Sequence, residues 1–436
     1  MFIFSWFGDV AMRKYQQLLL IVVSAVSVVA LLFYHHEYHR LRYVLEVLNF
    51  FGKPAENLQC PTINETSLSN RVNGFSSPLP VWVPVGDNHY IYSAFWERNN
   101  VIVVGTGPAN GGFSGRNSYQ CEVWLEGKDE PIPGRIHASI IEGQKKKKVG
   151  FLGYTLSCEI EKLISVVPEE VTMWRTQDKV PAKVSLPVHY MNLKRLEDDD
   201  PALSLTVCVL PDDSQRISSY ALISFVSYYS ILGVSDFILY GGSRYHHVAI
   251  ELQKHGASVS VIPWNFPVSG DGRAELERDC RSRGWPATGN IVVLSLNEYI
   301  VPVIHNDLLR MLDDLDAGRK TTSRFQFSTQ LFCTNIPDDP GAEPSWPMFM
   351  HKTYYDPAAK TGAVNIYRPG ALTTNKPIEL STYTLSPSIA AVHKLSSCDI
   401  PPGASTDSFQ YKPNIRRFVS ELMKSGLLNV QVEPRK

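Results

Sequence analysis

The sequence predicts an α/β chain, and three observations lead to that class. From residue 201 onward, apolar strand-like runs alternate with segments of helical period. Over 81–200, short aromatic and β-branched runs are broken repeatedly by Gly and Pro. Near the N-terminus the run LLLIVVSAVSVVALLFY, Leu18 to Tyr34, carries no charge. The expectation is a parallel-sheet domain preceded by a β-sandwich-like module and a single transmembrane helix.

Taken in order, 1–17 reads as a cytosolic tail and 18–35 as a signal anchor. The apolar run lies at the short end of the roughly 17–25 residues that cross a bilayer. It follows Arg13 and Lys14, and no small-residue cleavage site comes after it. A short span suits the thinner membranes of the early secretory pathway. Residues 36–80 read as a Pro- and Ser-rich stem carrying the N-glycosylation sequon Asn64-Glu65-Thr66, which implies a luminal body. Seven cysteines without C-x-x-C or Cys/His spacing argue against zinc. In an oxidising lumen some pair, and segment proximity suggests Cys121 with Cys158 and Cys333 with Cys398. The odd count leaves a thiol free or intermolecular, so a homodimer through it or through the stem is an open alternative.

The 436 residues allow two or three domains. Lys and Arg number 42 against 43 Asp and Glu, without the basic excess of a nucleic-acid binder. Lys145 to Lys148 is the one basic cluster and reads as a solvated turn.

Within 81–200, HYIYSAF, NVIVVG, QCEVWLEG, GRIHASII, KVGFLGYTLSCEI and EVTMWRT read as short antiparallel strands. VIVVGTGPANGG resembles a dinucleotide fingerprint through Gly105, Gly107 and Gly111. Its spacing is one residue off, and a strand-like segment follows where a phosphate-binding helix should start. It reads as a loop.

Over 201–405, LSLTVCVLP, DFILY, SVSVIPW and NIVVL are strands, and SSYALISFVSYYSILG, YHHVAIELQKHG, GRAELERDCRSRGW and NDLLRMLDDLDAG are helices, the last capped by Asn306. Short connections imply a Rossmann-type parallel sheet covered on both faces, with ligands at the strands' carboxyl ends. Trp264, Tyr240 and Asp212 belong to that rim, where a carbohydrate would fit. His246 and His247 are adjacent on a helix and diverge, a poor metal pair. Residues 406–436 read as a helical tail.

The ordered segments LTVCVLP, YYSILGVSDFILYGG, RDC and VVLSLNEYIVP resemble glycosyltransferase family 92, and YIYSAFWERNNVIVVG resembles the opening of its β module. The resemblance covers about residues 88–400. It implies a GT-A-like fold and a Golgi type II membrane protein transferring a hexose, usually galactose, from a UDP-sugar to a glycan on a glycoprotein or glycolipid.

In such enzymes a D-x-D segment after the fourth strand holds Mn²⁺ against the diphosphate. Here the two aspartate positions are Ser295 and Asn297, and the following glutamate is Glu298. Loss of both carboxylates weakens Mn²⁺ binding, since hard cations prefer carboxylate oxygens. The resemblance places Ser295, Asn297, Arg273 and Lys394 at the donor, with Arg273 and Lys394 offsetting diphosphate charge, and Tyr240 joins them there from the rim. Asn297 and His393 are the residual metal candidates, and NIYRPGAL keeps the family's Arg368 and Pro369. Glu298 and Asp279 are the catalytic candidates, with Glu298 as general base and Asp271 behind it. Three readings stay open: transfer without a tightly held metal, luminal glycan or sugar-nucleotide binding without catalysis, and a structural or regulatory role.

Overall fold

The computed structural model describes Ser27 and residues 80–430, apart from 98–99, 114–117, 145–149, 162–165, 179–181, 190–203, 212–217, 242–244, 285–288, 317–321, 360, 369–380 and 400–407. The chain divides into two units, Met1–Glu65 and Thr66–Lys436. Only Ser27 of the first is described, so the fold below is that of the second.

Eight strands open it: β1 (Val83–Gly86), β2 (His89–Glu97), β3 (Asn100–Pro108), β4 (Tyr119–Trp124), β5 (Ile132–Ile140), β6 (Phe151–Ile160), β7 (Glu170–Arg175) and β8 (Val184–His189). Their order is β1-β2-β3-β6-β5-β4-β7-β8, and β8 pairs back onto β2. Seven strands therefore close into a barrel with β1 at its margin. The expected sandwich is corrected, because closure removes the open edges that two stacked sheets would keep. The barrel core holds Ile91, Val101, Val103, Leu156, Val171 and Met173. Gly105 and Gly107 lie inside β3, paired along β6, so the fingerprint look-alike is largely strand.

The Cys121–Cys158 disulfide forms. It joins β4 to β6 across the intervening β5. A Cβ on Gly134 of β5 would lie 2.6 Å from the Cys158 sulfur and 2.9 Å from that of Cys121. The cross-strand staple therefore requires glycine beneath it.

The second sheet is built from β9 (Leu205–Val209), α1 (Ser219–Ile231), β10 (Asp236–Tyr240), α2 (His246–Lys254), β11 (Ser258–Ile262), α3 (Arg273–Gly284), β12 (Asn290–Leu294), β13 (Glu298–Pro302), α4 (Leu308–Asp316), β14 (Thr322–Cys333), β15 (Tyr354–Asp356), β16 (Ala363–Tyr367), β17 (Ser381–Thr384), β18 (Ala390–Ser396), β19 (Gln410–Tyr411) and α5 (Val419–Lys424). β11-β10-β9-β12 are parallel. β16 then joins β12 antiparallel and β14 continues the sheet. β14 alternates buried and half-buried positions, the period of a strand with one covered face. It pairs with β15, β16, β17 and β18.

The fold class is thus corrected. The described residues form nineteen strands and only five short α-helices. The described residues are predominantly β, a closed barrel and a mixed sheet, rather than an α/β arrangement with a GT-A-like Rossmann-type sheet. The run of parallel strands ends at Leu294, and antiparallel strands extend the sheet beyond it. The anchor is corrected as well. Among the described residues no helix is long and apolar enough to cross a membrane, so the expected signal anchor and Golgi type II placement have no support. Apart from Ser27, segment 18–35 lies outside the described residues, as do the tail 1–17, Asn64, Asp212 and Pro369. The seventh cysteine, Cys60, does too.

Alternation along the parallel strands sorts the core. Leu205, Val207, Val209, Phe237, Leu239, Val292 and Leu294 face α1, α2, α4 and α5. Cys208, Ile238, Tyr240, Ile291 and Val293 face α3 and Tyr92 of β2. Gly233 closes α1 at φ 88°, the left-handed conformation that glycine adopts without strain. Asp307, not Asn306, caps α4 by accepting the Arg310 N–H at 2.9 Å, while Asn306 accepts from Arg417. The Cys333–Cys398 bridge forms, and Cys208–Cys280 ties β9 to α3. The C-terminal segment belongs to the sheet core, because β19 pairs with β15 and Ile415, Phe418 and Leu422 are buried in the main cluster.

Candidate functional site

The parallel strands end at Val209, Tyr240, Ile262 and Leu294. From Leu294 the chain makes a tight turn, Ser295-Leu296-Asn297, into β13, whose first residue is Glu298. The Ser295 carbonyl accepts the Glu298 N–H at 2.9 Å, and the Glu298 carboxylate accepts the Ser295 N–H at 3.0 Å. Register places Glu298 opposite Lys394 on β18, and the Lys394 ammonium lies 3.3 Å from Glu298 Oε1. The Arg273 guanidinium, from the first residue of α3, lies 3.4 Å from Glu298 Oε2 and also donates to the Val293 carbonyl at 3.3 Å.

The carboxylate is 3% exposed, while the Arg273 and Lys394 side chains are 33% and 38% exposed. Two cations therefore cover one buried carboxylate and turn a positive face to solvent. Asn297 has a local task. Its side-chain amide donates to the Leu395 carbonyl at 2.8 Å, and its own carbonyl accepts the Leu395 N–H at 2.8 Å, pinning the turn to β18.

Three expected site residues lie elsewhere. Asp279 is sealed in the core, where its carboxylate accepts from Ser93 of the barrel and Tyr240 of β10 at 2.5 Å each, and from Arg283 at 2.6 and 3.1 Å. A carboxylate so filled and buried reaches no substrate, which corrects its catalytic assignment. Tyr240 is fully buried and donates inward to Asp279, which corrects its placement at the donor. Burial first, then the Asp279 charge, push its phenol well above the ordinary value. His393 is buried on the opposite side of β18 from Lys394, its ring stacked on Phe332 at 3.9 Å between centroids. Neither ring nitrogen has a hydrogen-bond partner, and burial, then the Lys412 charge, hold its pKa well below the ordinary value. It faces away from Glu298 and is no ligand at this turn.

The donor set does not fit Mn²⁺. Both Glu298 oxygens face cations, the Asn297 amide is committed to Leu395, and the described residues contain no cluster of three His, Cys, Asp or Glu able to hold a metal. Trp264 is covered by Phe266, stacked at 6.1 Å, and by the edges of Trp82, Tyr92 and Tyr240. Only Ser295, Arg273 and Lys394 of the proposed donor residues gather around Glu298. The ion pair of Lys394 with Glu298 joins residues 96 positions apart through strand register, which no local motif announces.

No family model matches the chain, and no curated protein matches it. Among solved structures it is similar to S. aureus TarS residues 1–349, at 12% identity and a TM-score of 0.24 over 53% of this chain and 67% of that one. It is also similar to UDP-glucose pyrophosphorylase complexed with UDP-glucose, at 8% identity and a TM-score of 0.24 over 50% and 99%. Likeness at this level bears on neither fold nor function.

Proposed function

We propose that the chain is a sugar-nucleotide-using enzyme that transfers a hexose from a UDP-sugar to a glycan acceptor without a resident divalent metal. One observation carries the reading: the Arg273–Glu298–Lys394 cluster lies where a parallel strand ends, the place where such sheets gather ligands. The resemblance to glycosyltransferase family 92 supplies the reaction class and galactose as the hexose.

In the transfer, the bond from the anomeric carbon to the diphosphate breaks and UDP leaves with the electron pair. The acceptor hydroxyl oxygen bonds to that carbon, and its proton passes to a base. Glu298 faces two cations and Asp279 is enclosed, so neither suits this task. Asp271, exposed on the loop before α3 and accepting the Arg273 N–H at 3.1 Å, is the rim carboxylate assigned to it.

The filled oxygens of Glu298 also favour a second reading, a glycan- or sugar-nucleotide-binding protein without turnover. The full chain, offered a panel of UDP-sugars in EDTA and in Mn²⁺, separates the two by UDP release and thermal shift. Release in EDTA supports transfer, and a shift without release supports binding alone. Neither response with any donor removes both.

A further inference from the structure

A metal that does not fit leaves open what would neutralise a diphosphate at this turn. Glu298 is the anchor of the cluster rather than its business end. Its buried carboxylate takes the Ser295 N–H and Arg273 on one oxygen and Lys394 on the other. The outer layer is cationic, with two positive charges over one negative. Arg273 directs a single nitrogen, Nη2, to Val293 and Glu298. Its Nη1 and Nε donors have no protein partner among the described residues, and the Lys394 ammonium meets only Glu298 there. A planar guanidinium suits two phosphate oxygens at once, and an ammonium adds a point charge beside it. A divalent cation entering the same turn would meet like charge on both carboxylate oxygens.

We propose that Arg273 and Lys394, held by Glu298, form an anion seat for the diphosphate of the sugar nucleotide and replace a bridging metal. The proposal rests on the sugar-nucleotide reading above, and it changes the role of Glu298 from base or metal ligand to holder of the two cations.

The test is calorimetric titration of the full chain and of Arg273→Ala and Lys394→Ala with UDP, inorganic pyrophosphate and uridine, in EDTA. Thermal melting runs alongside, with Arg273→Lys and Lys394→Arg as charge-keeping variants in case an alanine variant misfolds. Expected are binding of UDP and pyrophosphate without metal, a roughly tenfold to hundredfold loss per alanine substitution, as for hydrogen bonds to charged groups, unchanged uridine binding, and partial retention in the charge-keeping variants. UDP binding that needs Mn²⁺, or that survives both alanine substitutions, overturns the proposal. Pyrophosphate binding through the pair, with no UDP or UDP-sugar binding, would keep the anion seat and remove the sugar-nucleotide reading.

Discussion

Asp279 and Arg283 form a buried ion pair one turn apart on α3, 0% and 1% exposed, with Nε 2.6 Å from Oδ2. The same carboxylate accepts from Ser93 of the barrel and Tyr240 of the mixed sheet, and the next residue, Cys280, is bridged to β9. Glu97 of β2 adds a two-pronged pair with Arg278 at 3.2 and 3.0 Å. Burial would raise the Glu97 carboxyl, but the Arg278 guanidinium reverses this and leaves it lowered. The most charged of the described helices thus seals the barrel onto the sheet.

Asp279→Ala leaves Arg283 buried without its anion. Breaking a buried pair by removing one partner costs about 3–5 kcal/mol. Urea unfolding of the variant shows a loss of that order, whereas a catalytic carboxylate would leave stability unchanged and abolish turnover.

Gly134→Ala places a methyl against both sulfurs of the Cys121–Cys158 bridge, closer than real contacts allow. Overpacking of this kind costs roughly 1–3 kcal/mol. Thermal melting shows the loss, and free-thiol titration shows whether the bridge still closes. An unchanged melt with the bridge intact would refute the packing.

Two buried histidines set an acid limit. Burial, then the Arg283 charge, lower His189 to about 3, and burial lowers His393 well below 6.5. In the unfolded chain both titrate near 6.5, so below that pH the unfolded state binds more protons. Their contribution is full above pH 6.5 and falls as the pH drops below it, down toward 3 for His189, by up to about 1.4 kcal/mol per pH unit for each. Denaturation at pH 7.5, 6 and 5 measures the slope. His393→Phe, which removes two unsatisfied nitrogens, reduces the slope to the His189 share and leaves stability at pH 7.5 equal or higher.

Asn297→Asp restores a carboxylate at the motif position yet removes the donor to the Leu395 carbonyl. The expected outcome is a stability loss of about 1–3 kcal/mol, since a buried acceptor loses its partner, with no gain in Mn²⁺ dependence. Melting with and without Mn²⁺ checks it, and a Mn²⁺-stabilised variant would contradict it.

Much of the local structure was legible. The strands NIVVL and DFILY and the glycine that ends α1 follow from apolar runs and local backbone rules. The Cys121–Cys158 and Cys333–Cys398 pairs match the expectation from segment proximity, whereas Cys208–Cys280 was not expected. The SLNE turn also marked the rim, because a polar cluster after a buried strand is visible in sequence. Barrel closure by β2 and β8 was not, because pairing over some 90 residues leaves no local period. β14 was missed as well, and its pairing with four strands rests on long-range register.

By itself, the sequence determined the parallel strands and the helices between them over 204–294, and the residues at 295 and 297 as Ser and Asn rather than carboxylates. Only the tertiary structure decided what the remaining charges do. GRAELERDCRSRGW reads as a charged helix, and charge is costly to bury alone. Ser93, Tyr240 and Glu97 arrive from distant strands to satisfy it, which turns Asp279 from a candidate catalyst into a buried fastener. The same long-range register brings Lys394 to Glu298, so a residue that looked like a surviving acid is instead the support for two cations.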